Sequence, residues 1–366
     1  MRIAQVAPLY ESVPPRYYGG TERVVSWLTE KLVALGHDVT LFASADSVTN
    51  ARLVPICKQS LRLDPDCIDP IAHHIRMIEE VFSRAEEFDI IHFHTDYLHF
   101  SRSRRERVPC LTTLHGRLDL PDLGPLYRQF RELPLVSISA AQRKPLPWVN
   151  WVATVHHGMS VTALPFEART GSYLAFLGRV SPEKGLDRAI EIAIRSRMKL
   201  RIAAKVDRAD IQYFNRSIKP LLENPLIEFV GEIGHSEKGE FLGKAAALLF
   251  PVAWPEPFGL VMIESMACGT PVIACPRGSV PEVICDGVNG YIVRNIEQAL
   301  DAVERLPEID RRQCRGYFEQ NFSDDRMAQE YLAIYERLAR PQSPAIDIEK
   351  GVLNWMEAES PTPSTT

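Results

Sequence analysis

The chain has 366 residues, 45% of them hydrophobic and 24% charged, with a net charge of −5. That length exceeds one ordinary core, so two domains are expected, and the acidic balance excludes a general nucleic-acid binder, which shows a strongly basic face. No apolar run approaches the roughly 18 residues of a membrane span. The seven cysteines are scattered without a CxxC pair, which argues against a disulfide framework or a zinc site and for a reduced, cytoplasmic setting.

In chain order, MRIAQVAPLY reads as a short strand rather than a signal peptide. TERVVSWLTEKLVALGH follows as a helix, with Val24, Val25, Leu28, Leu32 and Leu35 on one face and Gly36 placed to end it. DVTLFAS, FDIIHFHT, PCLTTLHG, LVSISA and VATVHHG are further strands. The pattern restarts after a glycine-containing, apolar-poor stretch near residues 158 to 171. SYLAFLGR is a strand and GLDRAIEIAIRS a helix; LRIAAKV, IEFVGEI, ALLFPV, TPVIAC and GYIV are strands with helical segments between them. This βα alternation predicts an α/β protein with two parallel sheets, each covered on both faces, and a cleft between them. Ligands are expected at the carboxyl ends of the strands. SDDRMAQEYLAIYERLAR is a last helix capped by Ser323 or Asp324. From Pro341 the chain is rich in Pro, Ser and Thr and reads as a largely disordered tail, within which IDIEKGVLNWMEA could form a short helix.

The stretch WPEPFGLVMIESMACGTPVIAC carries the chemistry. Glu256 and Glu264 lie eight positions apart. Pro257 suits the first turn of a helix, Gly259 allows a ligand close to the backbone, and Glu264 is expected about two turns in. A helix start is an anion site. Flanked by two carboxylates, it suits a ligand with phosphate in the middle and hydroxyls at both ends, as in a nucleotide sugar.

EPFGLVMIE resembles the E-x7-E motif of retaining glycosyltransferases of family 4, bacterial-type NDP-sugar-dependent enzymes with the GT-B fold. The resemblance extends over YYGGTERVVSWLTEKLVALGHDVTLFAS, FLGRVSPEKGLDRAI, ACGTPVIA and GSVPEVICDGVNGYIV, and so to about residue 340. It implies two Rossmann-like domains facing a central cleft. An acceptor-side domain would span 1–158, and a nucleotide-sugar domain 159–323. A helix at about 324–340 would cross back, and the tail would be 341–366. The implied reaction moves a hexose from an NDP-sugar, with a UDP-sugar slightly favoured, to an unknown acceptor hydroxyl. The linkage would be retained, with no cofactor and no divalent metal.

The resemblance also assigns residues. Glu256 would meet donor-sugar hydroxyls, Glu264 the ribose, and the amides of Phe258, Gly259 and Leu260 the sugar and phosphates. Arg179 and Lys184 would hold the diphosphate, whose departing charge needs fixed cations. Gly19 and Gly20 resemble the glycine loop that approaches the donor phosphate. His115 resembles a histidine close to the donor sugar, where a neutral imidazole can act by hydrogen bonding. Gly231 and Glu232 would line the base. Relatives more often carry Asn-Gly where this chain has His156 and His157, so these two are read as hinge residues.

Other features keep plainer readings. Lys205, at a strand end, contacts the nucleotide, contacts an acidic acceptor or is solvated. His92 and His94 share a strand face near Asp96 and His99, but their spacing fixes no third zinc ligand. Asp64-Pro-Asp66 is a literal DxD outside the motif cluster. RSRRER, Arg102 to Arg107, is an exposed basic segment or a weak peripheral membrane contact. Acceptor specificity is expected in YESVPPRYY and RLDLPDLGPLYRQF. Two other classes fit parts of the pattern: another GT-B enzyme, such as a sugar-nucleotide 2-epimerase or a phosphorylase, and a non-catalytic nucleotide-sugar binder.

Overall fold

The structure, a computed structural model, describes residues 1–340. The tail and its IDIEKGVLNWMEA island lie outside these residues. Thirteen strands form two sheets. The first sheet comprises β1 (Arg2–Val6), β2 (Asp38–Ala43), β3 (Arg52–Pro55), β4 (Ile90–Phe93), β5 (Cys110–Thr113), β6 (Leu135–Ser137) and β7 (Trp151–Thr154), in the order β3-β2-β1-β4-β5-β6-β7. The second comprises β8 (Tyr173–Arg179), β9 (Leu200–Lys205), β10 (Ile227–Gly231), β11 (Ala245–Phe250), β12 (Val272–Ala274) and β13 (Gly290–Ile292), in the order β10-β9-β8-β11-β12-β13. Every pairing is parallel. The central strands show why. All four residues of β4 and all six of β11 are buried, as a sheet covered by helices on both faces requires. These are two Rossmann-like α/β layers, as the alternation predicts.

Two details differ from the sequence expectation. The first helix runs Gly20–Ala34 and buries Val24, Val25, Leu28 and Leu32, but Leu35 is exposed. Leu35 is already the helix cap, and Gly36 turns the chain with φ +85, so the amphipathic face ends one residue sooner. Strand β3, with only RLVP, is too short to give a periodic signal.

The chain passes between the halves twice, and the two passages lie side by side. Met159 bridges Ser323. A Cβ at Gly158 would sit 2.1 Å from the Ser323 carbonyl oxygen, so only glycine lets the strands of linker meet. The return helix, Asp324–Ala339, starts at Ser323, whose Oγ accepts from Arg326 N at 3.3 Å. It packs Met327, Ala328, Tyr331, Ile334 and Tyr335 against Ile3, Val24 and Leu28 of the first half. Their spacing of three and four residues forms the apolar stripe of a helix buried on one face. Two buried hydroxyls anchor it. Tyr331 Oη lies 2.9 Å from Thr113 Oγ1. Tyr335 Oη accepts from Gln5 Nε2 at 3.0 Å and lies 2.7 Å from His92 Nδ1.

Tyr335→Phe removes one oxygen and strands two buried polar groups. It is expected to cost about 1–3 kcal/mol, read as a lower urea midpoint at unchanged m-value. An unchanged midpoint would show that the return helix is held by packing alone.

Candidate active site

The site is built where β8, β9, β10 and β11 end and face the first half. Glu256, Phe258, Gly259, Leu260, Glu264, Arg179, Lys184, Lys205, Glu232, Gly19, Gly20 and His115 all line one cleft of about 670 Å³. Gly231, with φ +82, ends β10 beside it but is not among the lining residues.

The helix at the cleft floor begins later than its sequence suggests. It spans Leu260–Ala267, with Gly259 as its cap at φ 82, ψ 72. Pro257 therefore lies in the loop, and Glu264 is the fifth helical residue, about one turn in, not two. The left-handed cap explains the shift: it breaks the helical path after Phe258. A Cβ at Gly259 would also lie 2.9 Å from Phe250 Cζ, so glycine is required on two counts. Gly259, Leu260 and Val261 at this helix start line the cleft.

Each carboxylate is buried and tied to a lysine. Glu256 Oε2 accepts from Lys184 Nζ at 2.5 Å and from Trp254 Nε1 at 2.8 Å. Glu264 Oε1 accepts from Lys238 Nζ at 2.6 Å. Lys184 also lies 5.2 Å from the Trp254 ring centroid. Its turn is docked on the same loop, because Ala253 N donates to the Glu183 carbonyl at 2.8 Å. Arg179, at the end of β8, donates to Glu183 Oε1 at 2.7 Å and has Asp210 and Asp207 at 3.7 and 3.9 Å. Lys205 pairs with Asp207 at 3.1 Å and lies 5.8 Å from the Tyr18 ring. The cations expected to meet phosphate are thus in the cleft, each also engaged by a carboxylate of the chain.

From the first half, Gly19 packs on Pro15, which a Cβ would approach to 2.7 Å. Gly20 faces Leu260 across the cleft, its Cβ position 3.6 Å from Leu260 Cδ1. His115 lies just beyond β5. Its partner is His94, with Nε2 of His115 2.8 Å from Nδ1 of His94. Gln5 fixes the direction of this bond. Its amide nitrogen is engaged by Tyr335, so its Oε1 accepts from His94 Nε2 at 2.9 Å. His94 Nδ1 must then accept from His115 Nε2–H. His115 Nδ1 is left as a buried lone pair without a protein partner. His157 stacks on His115 at 5.2 Å, and its own Nδ1 is also unpartnered. Burial pushes His115 down to about 3 and His94 and His157 well below the ordinary histidine range. The cleft wall is therefore a neutral imidazole that offers an acceptor.

Sequence reasoning missed several residues of this cleft. Lys238 and Trp254 complete the two carboxylate sites. Arg23 reaches the cleft while donating to the Pro15 carbonyl at 2.7 Å, and burial lowers its pKa. Burial also pushes Glu22 up to about 7 and Asp96 up to about 6. Only the GGTER string hinted at Glu22 and Arg23; the others depend on tertiary contacts. The hinge reading of His156 gains a partner: its Nε2 lies 3.0 Å from Glu282 of the second half, which also accepts from Ala140 N and Ala141 N.

The side features resolve into structural roles. His92 Nε2 and His99 Nε2 lie 2.8 and 3.0 Å from the hydroxyls of Thr113 and Thr112. Among the described residues, no group of three or more His, Cys, Asp or Glu could hold a metal ion. Asp64 accepts from Asp66 N in a turn. In RSRRER, Arg102 pairs with Glu106 and Arg104 with Glu132. No described helix is long and apolar enough to cross a membrane.

The fold is of the GT-B type, with two Rossmann-like α/β halves facing one cleft. The model of Glycosyltransferase Family 4 matches residues 18–157, and that of Glycosyl transferases group 1 matches residues 166–319. Glycogen synthase of Mycobacterium tuberculosis (strain H37Rv) is 26% identical over 95% of this chain and 99% of its own length. D-inositol 3-phosphate glycosyltransferase of Mycobacterium leprae is 32% identical over 37% of this chain and 33% of its own length. Among solved structures, sucrose-phosphate synthase from Thermosynechococcus elongatus superposes with a TM-score of 0.77 at 18% identity, covering 92% of this chain and 99% of that one. Anabaena HepE in complex with UDP and glucose superposes at 0.73 and 15%, covering 92% and 100%. A glycosyltransferase model thus matches each half of the chain, which with the GT-B fold supports a glycosyltransferase.

The buried histidines make a pH prediction. His92, His94, His99, His115 and His157 are all held neutral by burial, whereas an unfolded histidine takes up a proton near pH 6.5. Below that pH the unfolded state binds more protons, so stability is full above about 6.5 and falls as pH drops. The slope is at most about 1.4 kcal/mol per pH unit for each histidine. Glu11, Glu22, Asp96 and Asp324, whose carboxyls burial raises, oppose it, but His37, His74 and His235, also lowered by burial, add to the five. Urea midpoints are expected to fall between pH 6.5 and 5. A flat profile would contradict the neutral cluster.

Proposed function

We propose that the chain is a retaining, metal-independent hexosyltransferase that moves a sugar from an NDP-sugar to an acceptor hydroxyl. The observation that carries this reading is the cleft floor: a half-buried helix start lining the cleft between two buried carboxylates, each beside a lysine, with Arg179 at the rim. A nucleoside diphosphate sugar matches it part by part. Its ribose hydroxyls would donate to Glu264. Its phosphates would meet the amides at Gly259–Leu260, Lys184 and Arg179. Its sugar hydroxyls would reach Glu256 and the His115 lone pair. HepE complexes with UDP and with UDP-glucose support a UDP-sugar as the first donor to test.

The chemistry follows from the charges. The bond from C1 to the phosphate oxygen breaks, and negative charge grows on the leaving diphosphate. Arg179 and Lys184 hold that charge in a cleft partly shielded from water, where fixed cations act strongly. The acceptor oxygen attacks C1 on the same face, and its proton passes to the departing phosphate oxygen. No carboxylate of the cleft is assigned as a nucleophile to C1; Glu256 orients the sugar. Lys184 would link the two events, because it already donates to Glu256. As donor phosphate entered, the ammonium would share its N–H donors between Glu256 and the diphosphate, which would leave Glu256 better able to accept from the sugar. Because two protein cations carry the leaving charge, no divalent ion is assigned a part.

Three variants and a chelator test the assignment. Glu264→Ala is expected to weaken donor binding at least tenfold with a smaller change in kcat. Glu256→Ala is expected to lower kcat by about 10²–10³, the range for losing one oriented transition-state contact. Arg179→Ala should impair both, and EDTA should leave the rate unchanged. Wild-type turnover in all three variants would remove the site assignment; loss of activity in EDTA would remove the metal-independent mechanism.

A further inference from the structure

A carboxylate of the second half reaches into the first. Glu282, in the short helix Val280–Val283, receives three donors from the other half. Ala140 N donates to its Oε2 at 2.7 Å and Ala141 N to its Oε1 at 2.8 Å. His156 Nε2 lies 3.0 Å from Oε2 and, facing a carboxylate, is the donor. Burial works against this carboxyl, but the His156 ring and the two amides hold it below the ordinary carboxylate range. Charge-assisted bonds that engage both oxygens fix direction as well as distance.

Each end of this contact continues into the cleft. In the second half, Glu282 N donates to the Ser279 carbonyl at 2.8 Å. Ser279 is buried; its N donates to the Glu256 carbonyl at 2.9 Å and its Oγ to the Phe258 carbonyl at 2.7 Å. Gly278 makes room for this seam, since a Cβ there would lie 2.1 Å from the Glu256 carbonyl oxygen. In the first half, Ala141 is followed by the buried Gln142. Its Oε1 accepts from Ile138 N at 2.9 Å, and its Nε2 donates to the carbonyls of Leu114 and Gly116 at 2.9 and 2.8 Å. Those two carbonyls flank His115. One carboxylate thus joins the peptide that carries the imidazole of the cleft wall to the loop that carries Glu256. Neither Glu282 nor Gln142 lines the cleft itself.

The return helix already holds the halves together through apolar side chains. Such packing is non-directional, whereas a fully bonded polar relay sets angle and register. We propose that Glu282 is a positioning residue that holds the His115 wall in register with the Glu256 floor, acting through Ala140, Ala141 and Gln142 on one side and Ser279 on the other. The inference rests on the donor reading above, because it ties the relay to the two groups that would orient the donor sugar, and it adds residues that touch no substrate.

The test compares Glu282→Ala, Gln142→Ala and the double variant in the full chain. Hydrogen exchange of the peptide spanning 138–143 is expected to be about tenfold faster in Glu282→Ala, as loss of charge-assisted bonds requires, in protein that still melts cooperatively. The dissociation constant for UDP-glucose, or for whichever NDP-sugar shifts the melting temperature, should stay nearly unchanged, because the phosphate and ribose contacts lie in the second half. Hydrolytic release of the nucleotide should slow about tenfold to a hundredfold in each single variant, the range for a reacting group displaced by about an ångström. The losses should not multiply in the double variant, since both residues act in one relay. Glu282→Gln, which keeps an acceptor oxygen, should recover part of the rate and serves as the second variant at this position. Unchanged exchange at 138–143 in Glu282→Ala overturns the contact. Unchanged turnover in both single variants, losses that multiply, or donor binding that weakens in step with the rate overturns the positioning role while leaving the donor reading intact. Absence of any nucleotide-dependent melting shift overturns the donor reading itself, and the exchange result still decides whether Glu282 joins the halves.

Discussion

The Lys184–Glu256 ion pair is the contact on which the rest of the cleft depends. It joins two loops that the sequence keeps 72 residues apart, one leaving β8 and the other leaving β11. Glu256 is buried and Lys184 half-buried, and a buried carboxylate left without its cation is strongly destabilising. The pair therefore fixes both loops at once. The loop that carries Glu256 then feeds Gly259, whose left-handed turn aims the amides of the next helix at the same point. The same cation that holds the carboxylate in place is the one a phosphate would share. On the proposed reading, binding of an anion and orientation of a sugar would be coupled through a single ammonium.

On the opposite wall, polarity is set by a chain of hydrogen bonds rather than by charge. It runs from the return helix at Tyr335 through Gln5 and His94 to His115. Tyr335, Gln5 and His94 are buried and His115 half-buried, and each bond direction is constrained by the one before it. The return helix is a passage between domains, yet it also determines which nitrogen of a cleft histidine carries the proton. Docking of the two halves and the chemistry of their interface are in this way the same structural event.

Much of this was legible in the sequence where neighbours in the chain are neighbours in space. Parallel strands buried on both faces leave uninterrupted apolar runs, so both sheets could be read from IIHF and AAALLF. The juxtaposition of Glu256, Gly259 and Glu264 in one cleft could be read because they belong to one loop and one helix. Where the result depends on contacts between distant segments, the sequence was mute. Nothing around Lys238 announces Glu264, and nothing around Gln5 announces His94. The left-handed turn at Gly259 moved the helix start by three residues from the position that Pro257 suggested. The histidines of FDIIHFHTDYLHF meet Tyr335, Thr113, Gln5, His115, Ser103 and Thr112, partners that their spacing in the chain does not announce.

The central claim is that the cleft floor recognises a nucleoside diphosphate sugar. A melting-temperature screen against UDP-, GDP-, ADP- and TDP-sugars, with free nucleotide followed in the same wells, tests it most directly. One nucleotide is expected to stabilise the fold by about 2.7 kcal/mol at a hundred times its dissociation constant, with slow release of the diphosphate. No shift with any of the four, in protein that melts cooperatively, would mean that the paired carboxylates and the helix start are structural, and would contradict the account.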